Sequence, residues 1–187
     1  TLEWLSQSLF LKREKKLKLK KSYNNLVKFC ENLTSKYNEL ELNDILLKSG
    51  TTFLLYGLRD STDIDMIITK NNKIKPIDLK SNKESDIMIL DKEKIKNNYD
   101  SFVNLMFEPQ NFLYFKGIKI TILHSDLKYM RIIREGHPRA VADYLMVDHF
   151  LNKKYPLPKY PKSKRFKKDV EFFIKKRYKV YNYDNKF

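Results

Sequence analysis

Between Phe53 and Thr69 the chain reads Phe-Leu-Leu-Tyr-Gly-Leu-Arg-Asp-Ser-Thr-Asp-Ile-Asp-Met-Ile-Ile-Thr, two short apolar runs enclosing a polar turn with an acidic pair. The pattern predicts strand, tight turn, strand: residues 53–56 are closed by Gly57, and Met66, Ile67 and Ile68 are entered through Asp63 and Asp65. Aspartates at i and i+2 on a strand share a face, because side chains alternate with period two. Two like charges held that close are left in water or given a cation. Oxygen donors in this arrangement suit Mg2+ or Mn2+, which take one or two carboxylates together with substrate phosphates. A third carboxylate from a neighbouring strand would complete a site for displacement at phosphorus. The competing reading is a solvated hairpin turn, since Asp and Ser form turns readily.

Gly57 followed by Asp63-Ile64-Asp65 and an apolar strand resembles the signature of the nucleotidyltransferase superfamily with the polymerase-beta-like catalytic fold. The resemblance implies that Gly57 lets the backbone approach a nucleoside triphosphate (NTP), and that Asp63 and Asp65 bind metal. The chain departs from that signature at Leu58, where a small residue is usual, so Arg59 and the hydroxyls of Ser61 and Thr62 are the candidates for phosphate contact. For the third acid the candidates are Asp78 and Asp86. Asp86 is preferred because it opens the run Ile87-Met88-Ile89-Leu90, whereas residues 74–79 contain Pro76 and read as an edge strand or irregular segment. A further strand is expected at 117–123. If that is the family's third-acid strand, the acid has been replaced there and the domain is inactive.

A second resemblance lies downstream. Asp126-Leu127-Lys128-Tyr129-Met130-Arg131 and Gly136-His137-Pro138-Arg139-Ala140-Val141-Ala142-Asp143-Tyr144 are similar to the helix, basic turn and helix that follow the catalytic sheet in small nucleotidyltransferases. Arg131 and Arg139 match the basic positions in kind, and Pro138 suits the first position of a helix. His137 reads as a loop residue, and His149 as a packed residue on an apolar stripe with Ala142, Leu145, Met146 and Phe150.

Upstream, Ser22 is a candidate helix cap, with Leu26, Cys30, Leu33 and Tyr37 at helical spacing behind it. Tyr99 to Phe107 is amphipathic around Phe102, Leu105 and Met106. The expected fold class is α+β: a mixed, antiparallel-rich sheet flanked by helices. The expected organisation is a basic extension at 1–21, a nucleotidyltransferase-like domain at 22–151, and a basic, aromatic extension at 152–187.

The formal charge of +15 on 187 residues points to polyanions, nucleic acid before membrane surface, although an AT-rich coding genome would inflate the lysine count without a functional reason. In the last segment Lys164, Arg165, Lys167 and Lys168 alternate with Tyr155, Tyr160, Phe166 and Tyr178, a composition suited to RNA or single strands. One cysteine excludes an internal disulfide and favours a reducing compartment, cytoplasm or mitochondrial matrix. Three scattered histidines give no zinc pattern. No apolar run is long enough for a transmembrane segment. Two functions from different classes follow. One is Mg2+- or Mn2+-dependent nucleotidyl transfer from NTP to a nucleic-acid or other acceptor. The other is an inactive nucleotidyltransferase-like, RNA-binding subunit with protein partners in a ribonucleoprotein such as a mitochondrial ribosome.

Overall fold

The computed structural model describes residues 13–61, 63–80, 86–151 and 154–178. The chain divides into two compact units, Thr1–Tyr129 and Met130–Phe187. Thr62 and residues 1–12 lie outside the described residues, so neither the Thr62 assignment nor the first part of the expected basic arm can be placed.

The first unit is built on a five-stranded mixed sheet. Its strands are β1 (Ile45–Leu47), β2 (Met66–Thr69), β3 (Ile87–Leu90), β4 (Phe112–Phe115) and β5 (Ile118–Thr121), in the order β3-β2-β1-β5-β4. β1 pairs antiparallel with β2 and β4 with β5, while β1 with β5 and β2 with β3 are parallel. The sheet is therefore evenly mixed rather than antiparallel-rich. The α+β class and the helix-flanked mixed sheet are as expected.

Period-two alternation sorts these strands into two faces. Ile45, Leu47, Met66, Ile68, Ile118 and Ile120 join one core cluster with Leu19, Tyr23, Leu26, Cys30 and Leu33 of α1 (Arg13–Thr34). Each such fully buried Leu or Ile side chain contributes about 1.5–3 kcal/mol. Ser22 lies inside α1 and does not cap it, because Leu19 one turn earlier is already a core residue. The expected boundary at 21 thus falls within a helix. The opposite face carries Leu46, Ile67, Met88, Lys119 and Thr121, and takes α5 (Tyr99–Phe107) and α6 (Leu123–Ile133). Lys119 Nζ donates to the Met106 carbonyl at 2.9 Å and Tyr129 Oη meets Met88 Sδ at 3.9 Å. Between β4 and β5, Lys116 and Gly117 both have positive φ, 49° and 78°, as a two-residue hairpin turn requires.

One predicted strand is a helix, and so is the segment expected to be an edge strand or irregular. Residues 53–55 belong to α3 (Gly50–Leu55) and Tyr56 is its C-cap; the helix follows the four-residue α2 (Glu39–Leu42) and β1. A four-residue apolar run carries no period of its own, and the strand forms just upstream at 45–47. Gly57 ends α3: at φ 68° its N–H donates to Leu54 O at 3.0 Å, and Leu58 N–H donates to Phe53 O at 2.9 Å. These are the paired bonds of a left-handed helix stop, where glycine avoids the Cβ penalty. The segment around Pro76 is likewise helical, α4 (Pro76–Leu79), with the proline in its first turn.

The second unit contains α7 (Pro138–Leu151), α8 (Lys164–Phe173) and a π-helical turn, Ile174–Tyr178. Pro138 opens α7 as predicted, and Ala140 to Val147 are buried. His149 is exposed and not a core residue: it falls beyond the buried half of the helix, its ring 5.3 Å from that of Phe150. The Ser163 side chain caps α8 by accepting from Phe166 N at 3.2 Å. Tyr160 stacks on Phe166 with centroids 5.7 Å apart and planes at 12°. Inside the unit the buried Asp143 takes both oxygens to Arg177 Nη1, at 2.8 Å each, and also accepts from Tyr178 Oη. The compact boundary at Tyr129/Met130 groups α7 with α8, where the sequence suggested a division at 151.

Candidate active site

The acidic pair sits at the entrance to β2. Asp63 and Asp65 precede the strand, whose first residue is Met66. The β1–β2 ladder continues one step past Leu47↔Met66, with Lys48 N–H donating to Asp65 O at 3.0 Å. That step brings the turn Lys48-Ser49-Gly50 against the acid. Gly50 N–H donates to Asp65 Oδ2 at 2.8 Å, and Asp65 N–H donates to Thr51 Oγ1 at 3.1 Å. A Cβ on Gly50 would lie 2.5 Å from Ser61 Oγ and 2.8 Å from Asp65 Oδ2, so any larger residue would push one of those side chains out of this approach. The close-approach glycine of this site is thus Gly50. Gly57, to which the sequence assigned that role, is the helix stop described above.

The other predicted contacts divide. Ser61 is buried beside Gly50 and donates from Oγ to Asp63 O at 2.7 Å, fixing the segment that carries the pair. Arg59 is buried as well, its guanidinium 5.1 Å above the Phe53 ring. Asp86 is exposed, and its carbonyl accepts Met66 N–H at 3.0 Å, so it stands next to Asp65 across the parallel β2–β3 ladder. Among the described residues no three His, Cys, Asp or Glu side chains form a preassembled metal cluster. The donors present at the β2 entrance are hard carboxylate oxygens with no thiol or imidazole among them, which fits Mg2+ or Mn2+ in a site completed by substrate phosphates.

Electrostatics join the pair to residues the sequence did not single out. Burial raises the Asp65 carboxyl above the usual carboxylate range, as does the Asp63 charge to a lesser degree. Lys48, the Gly50 hydrogen bond and Arg59 act in the opposite direction. Lys48 is itself buried, with Nζ 5.4 Å from the Tyr129 ring centroid. Asp126 in α6 is fully buried; its Oδ1 accepts from Ser49 N–H at 2.6 Å and from Thr121 Oγ1 at 3.2 Å, and Thr121 Oγ1 lies 2.6 Å from Thr52 Oγ1. Burial pushes the Asp126 carboxyl up to about 6, against the Ser49 hydrogen bond, Lys48 and the Thr121 hydrogen bond, with Asp65 adding a smaller upward push. Lys48, Ser49, Gly50 and Asp126 are the additions to the predicted site. A glycine between the apolar runs 45–47 and 53–55 was visible in the sequence, whereas nothing local marked Asp126.

The residues assigned to nucleic acid lie in the second unit. Lys164, Arg165 and Lys168 are exposed on α8 and Lys167 is half-buried. Phe172 on the same helix is 55 % exposed, with Lys176 Nζ 5.6 Å from its ring centroid. Arg139 is exposed, its guanidinium 5.2 Å from the Phe173 ring centroid, and His137 Nδ1 accepts from Arg139 N–H at 3.1 Å in the turn before α7. The Arg131 side chain lies outside the described residues. No described helix is long and apolar enough to cross a membrane. No protein-family model, curated protein or solved structure matches the chain.

Proposed function

We propose that the chain is a nucleotidyltransferase of the polymerase-beta-like class, transferring a nucleotidyl group from NTP to an acceptor with Mg2+ or Mn2+ held by Asp63 and Asp65. The observation that carries this reading is the seating of Asp65: its Oδ2 takes the Gly50 amide at 2.8 Å, at a position where an added Cβ would force Ser61 or Asp65 to shift, with Asp63 within its field. An acid raised in pKa by burial yet held by a backbone donor is prepared for a cation, because the cation would supply the charge compensation that water no longer does. When bound, such an ion stabilises the charge that develops on the transferred phosphoryl group and the leaving pyrophosphate. Asp86, exposed and adjacent across the ladder, is the candidate third ligand. Arg59 adds positive potential to the same region.

The acceptor that fits the second unit is RNA or another single-stranded nucleic acid. Lys164, Lys168 and Lys176 share one exposed helical stripe with Phe172, offering phosphate neutralisation beside a ring on which a base can stack. The same stripe, taken with the lack of a preassembled three-acid cluster among the described residues, favours a second reading: an RNA-binding subunit of a ribonucleoprotein without transferase activity.

Incubation with each labelled NTP, Mg2+ or Mn2+ and a mixed RNA pool separates the two. Metal-dependent transfer that falls by about 100-fold or more in both Asp63→Asn and Asp65→Asn is the expected result. Salt-sensitive RNA binding retained by both variants, with no transfer by the native chain, would overturn the enzyme in favour of the binding subunit.

A further inference from the structure

Asp126 is the deepest carboxylate near the site, and its surroundings do not explain it as a stabilising feature. It is fully buried, and among the described residues no cationic side chain makes a hydrogen bond or ion pair to it; its partners are an amide and a hydroxyl on Oδ1, while Oδ2 has no hydrogen-bond partner among them. Burying a carboxylate with half its acceptor capacity unmet is costly, so the one strong bond it makes has to be the reason for its presence. That bond goes to Ser49, which sits at φ 51° and ψ −116°, a conformation that L residues rarely adopt. Ser49 does not hold itself there, since its own Oγ is buried with no partner. The next amide in the chain, Gly50 N–H, is the one that seats Asp65.

We propose that Asp126 is a positioning residue for Asp65: it clamps the strained Ser49 amide so that the following Gly50 N–H is aimed at the Asp65 carboxylate. Two consecutive amides serve two carboxylates that arrive from different elements, Asp126 from α6 and Asp65 from the entrance to β2. Thr52 and Thr121 support the clamp through the hydroxyl chain that ends on Asp126 Oδ1. The role in transfer rests on the proposed nucleotidyltransferase reading; the aiming of the Gly50 amide does not.

The test compares Asp126→Asn, which keeps a carbonyl acceptor for Ser49, with Asp126→Ala, which keeps none. In the metal-free protein, amide NMR resonances of Ser49 and Gly50 should stay near their native positions in Asp126→Asn and move to the values of unbonded amides in Asp126→Ala. Affinity for Mn2+ alone should fall about 10-fold in Asp126→Ala and be largely restored in Asp126→Asn, as for other residues that orient a ligand. Transfer should show the same order, through kcat more than through KM for NTP. If Asp126→Ala does not fold, Thr121→Val removes one bond to Asp126, and its Ser49 and Gly50 resonances should shift in the same direction by a smaller amount. A Gly50 amide that stays put in Asp126→Ala, or in Thr121→Val where that is the variant available, overturns the proposal. If the native chain neither transfers label nor binds Mn2+, the enzyme reading falls, and the Gly50 resonance alone still decides whether Asp126 aims that amide.

Discussion

Asp143 in the second unit and Asp126 in the first are both fully withdrawn from solvent, yet they are satisfied in opposite ways. Asp143 has a guanidinium on both oxygens and a tyrosine hydroxyl besides, so the charge it buries is matched where it lies. Asp126 has one amide and one threonine hydroxyl on a single oxygen, and the positive charge of Lys48 acts on it only through space. A buried ion pair of the first kind ties a helix to its neighbour. A buried acid of the second kind destabilises the fold that contains it, and such residues concentrate where geometry matters more than stability.

The contrast can be broken most forcefully at Arg177. Replacing Arg177 with Met leaves Asp143 buried without its counter-ion and should cost about 3–5 kcal/mol in chemical denaturation. A smaller loss would mean that Asp143 is no more dependent on its partner than Asp126 is. The second prediction uses pH. Because the folded-state carboxyl of Asp126 is raised from 3.8 to about 6, the folded protein binds that proton more tightly than the unfolded chain does. The contribution of Asp126 to stability therefore falls as pH rises from about 4 to about 6 and levels off above, the whole span being worth about 3 kcal/mol at most. Asp126→Asn should remove that part of the slope and leave the protein at least as stable as the native chain at neutral pH. A slope unchanged by the variant would refute the assignment.

At the site itself, Gly50→Ala sharpens the difference between scaffold and chemistry. Ser61 or Asp65 must shift to admit the methyl group, at about 1–3 kcal/mol of stability, and metal-dependent transfer should fall by more than that loss of folded protein explains. The smallest effect is expected at Phe172. Truncation to Ala should change stability by less than about 0.5 kcal/mol, as at other exposed positions, while weakening single-stranded RNA binding by about 1–3 kcal/mol in anisotropy titrations.

The same comparison shows what could be read without coordinates. The strands at 66–69, 87–90 and 118–121 and the helices opening at Tyr99 and Pro138 were legible, because each carries an unbroken apolar run, an amphipathic pattern or a helix-start signal. Residues 53–56 were not, since a run apolar at every position reads equally as buried strand or buried helix. From that one ambiguity came the assignment to Gly57: with residues 53–56 taken as the strand, Gly57 fell where the resemblance puts its close-approach turn, and Gly50 had no role. The acidic pair was visible as local spacing. Asp126 was not, because its partner Ser49 lies 77 positions away and only the folding of α6 onto the sheet joins them.

Cys30 offers a practical consequence. Its sulfhydryl is the chain's sole one, buried on the core face of α1, and burial pushes it up to about 12. Maleimides and other thiolate-seeking labels should therefore pass the native chain by. An engineered cysteine at Tyr114 on β4 and another at Asp169 on α8, both exposed positions, would then be the reactive handles for a fluorophore pair, giving a direct ruler between the sheet and the basic helix as RNA is added.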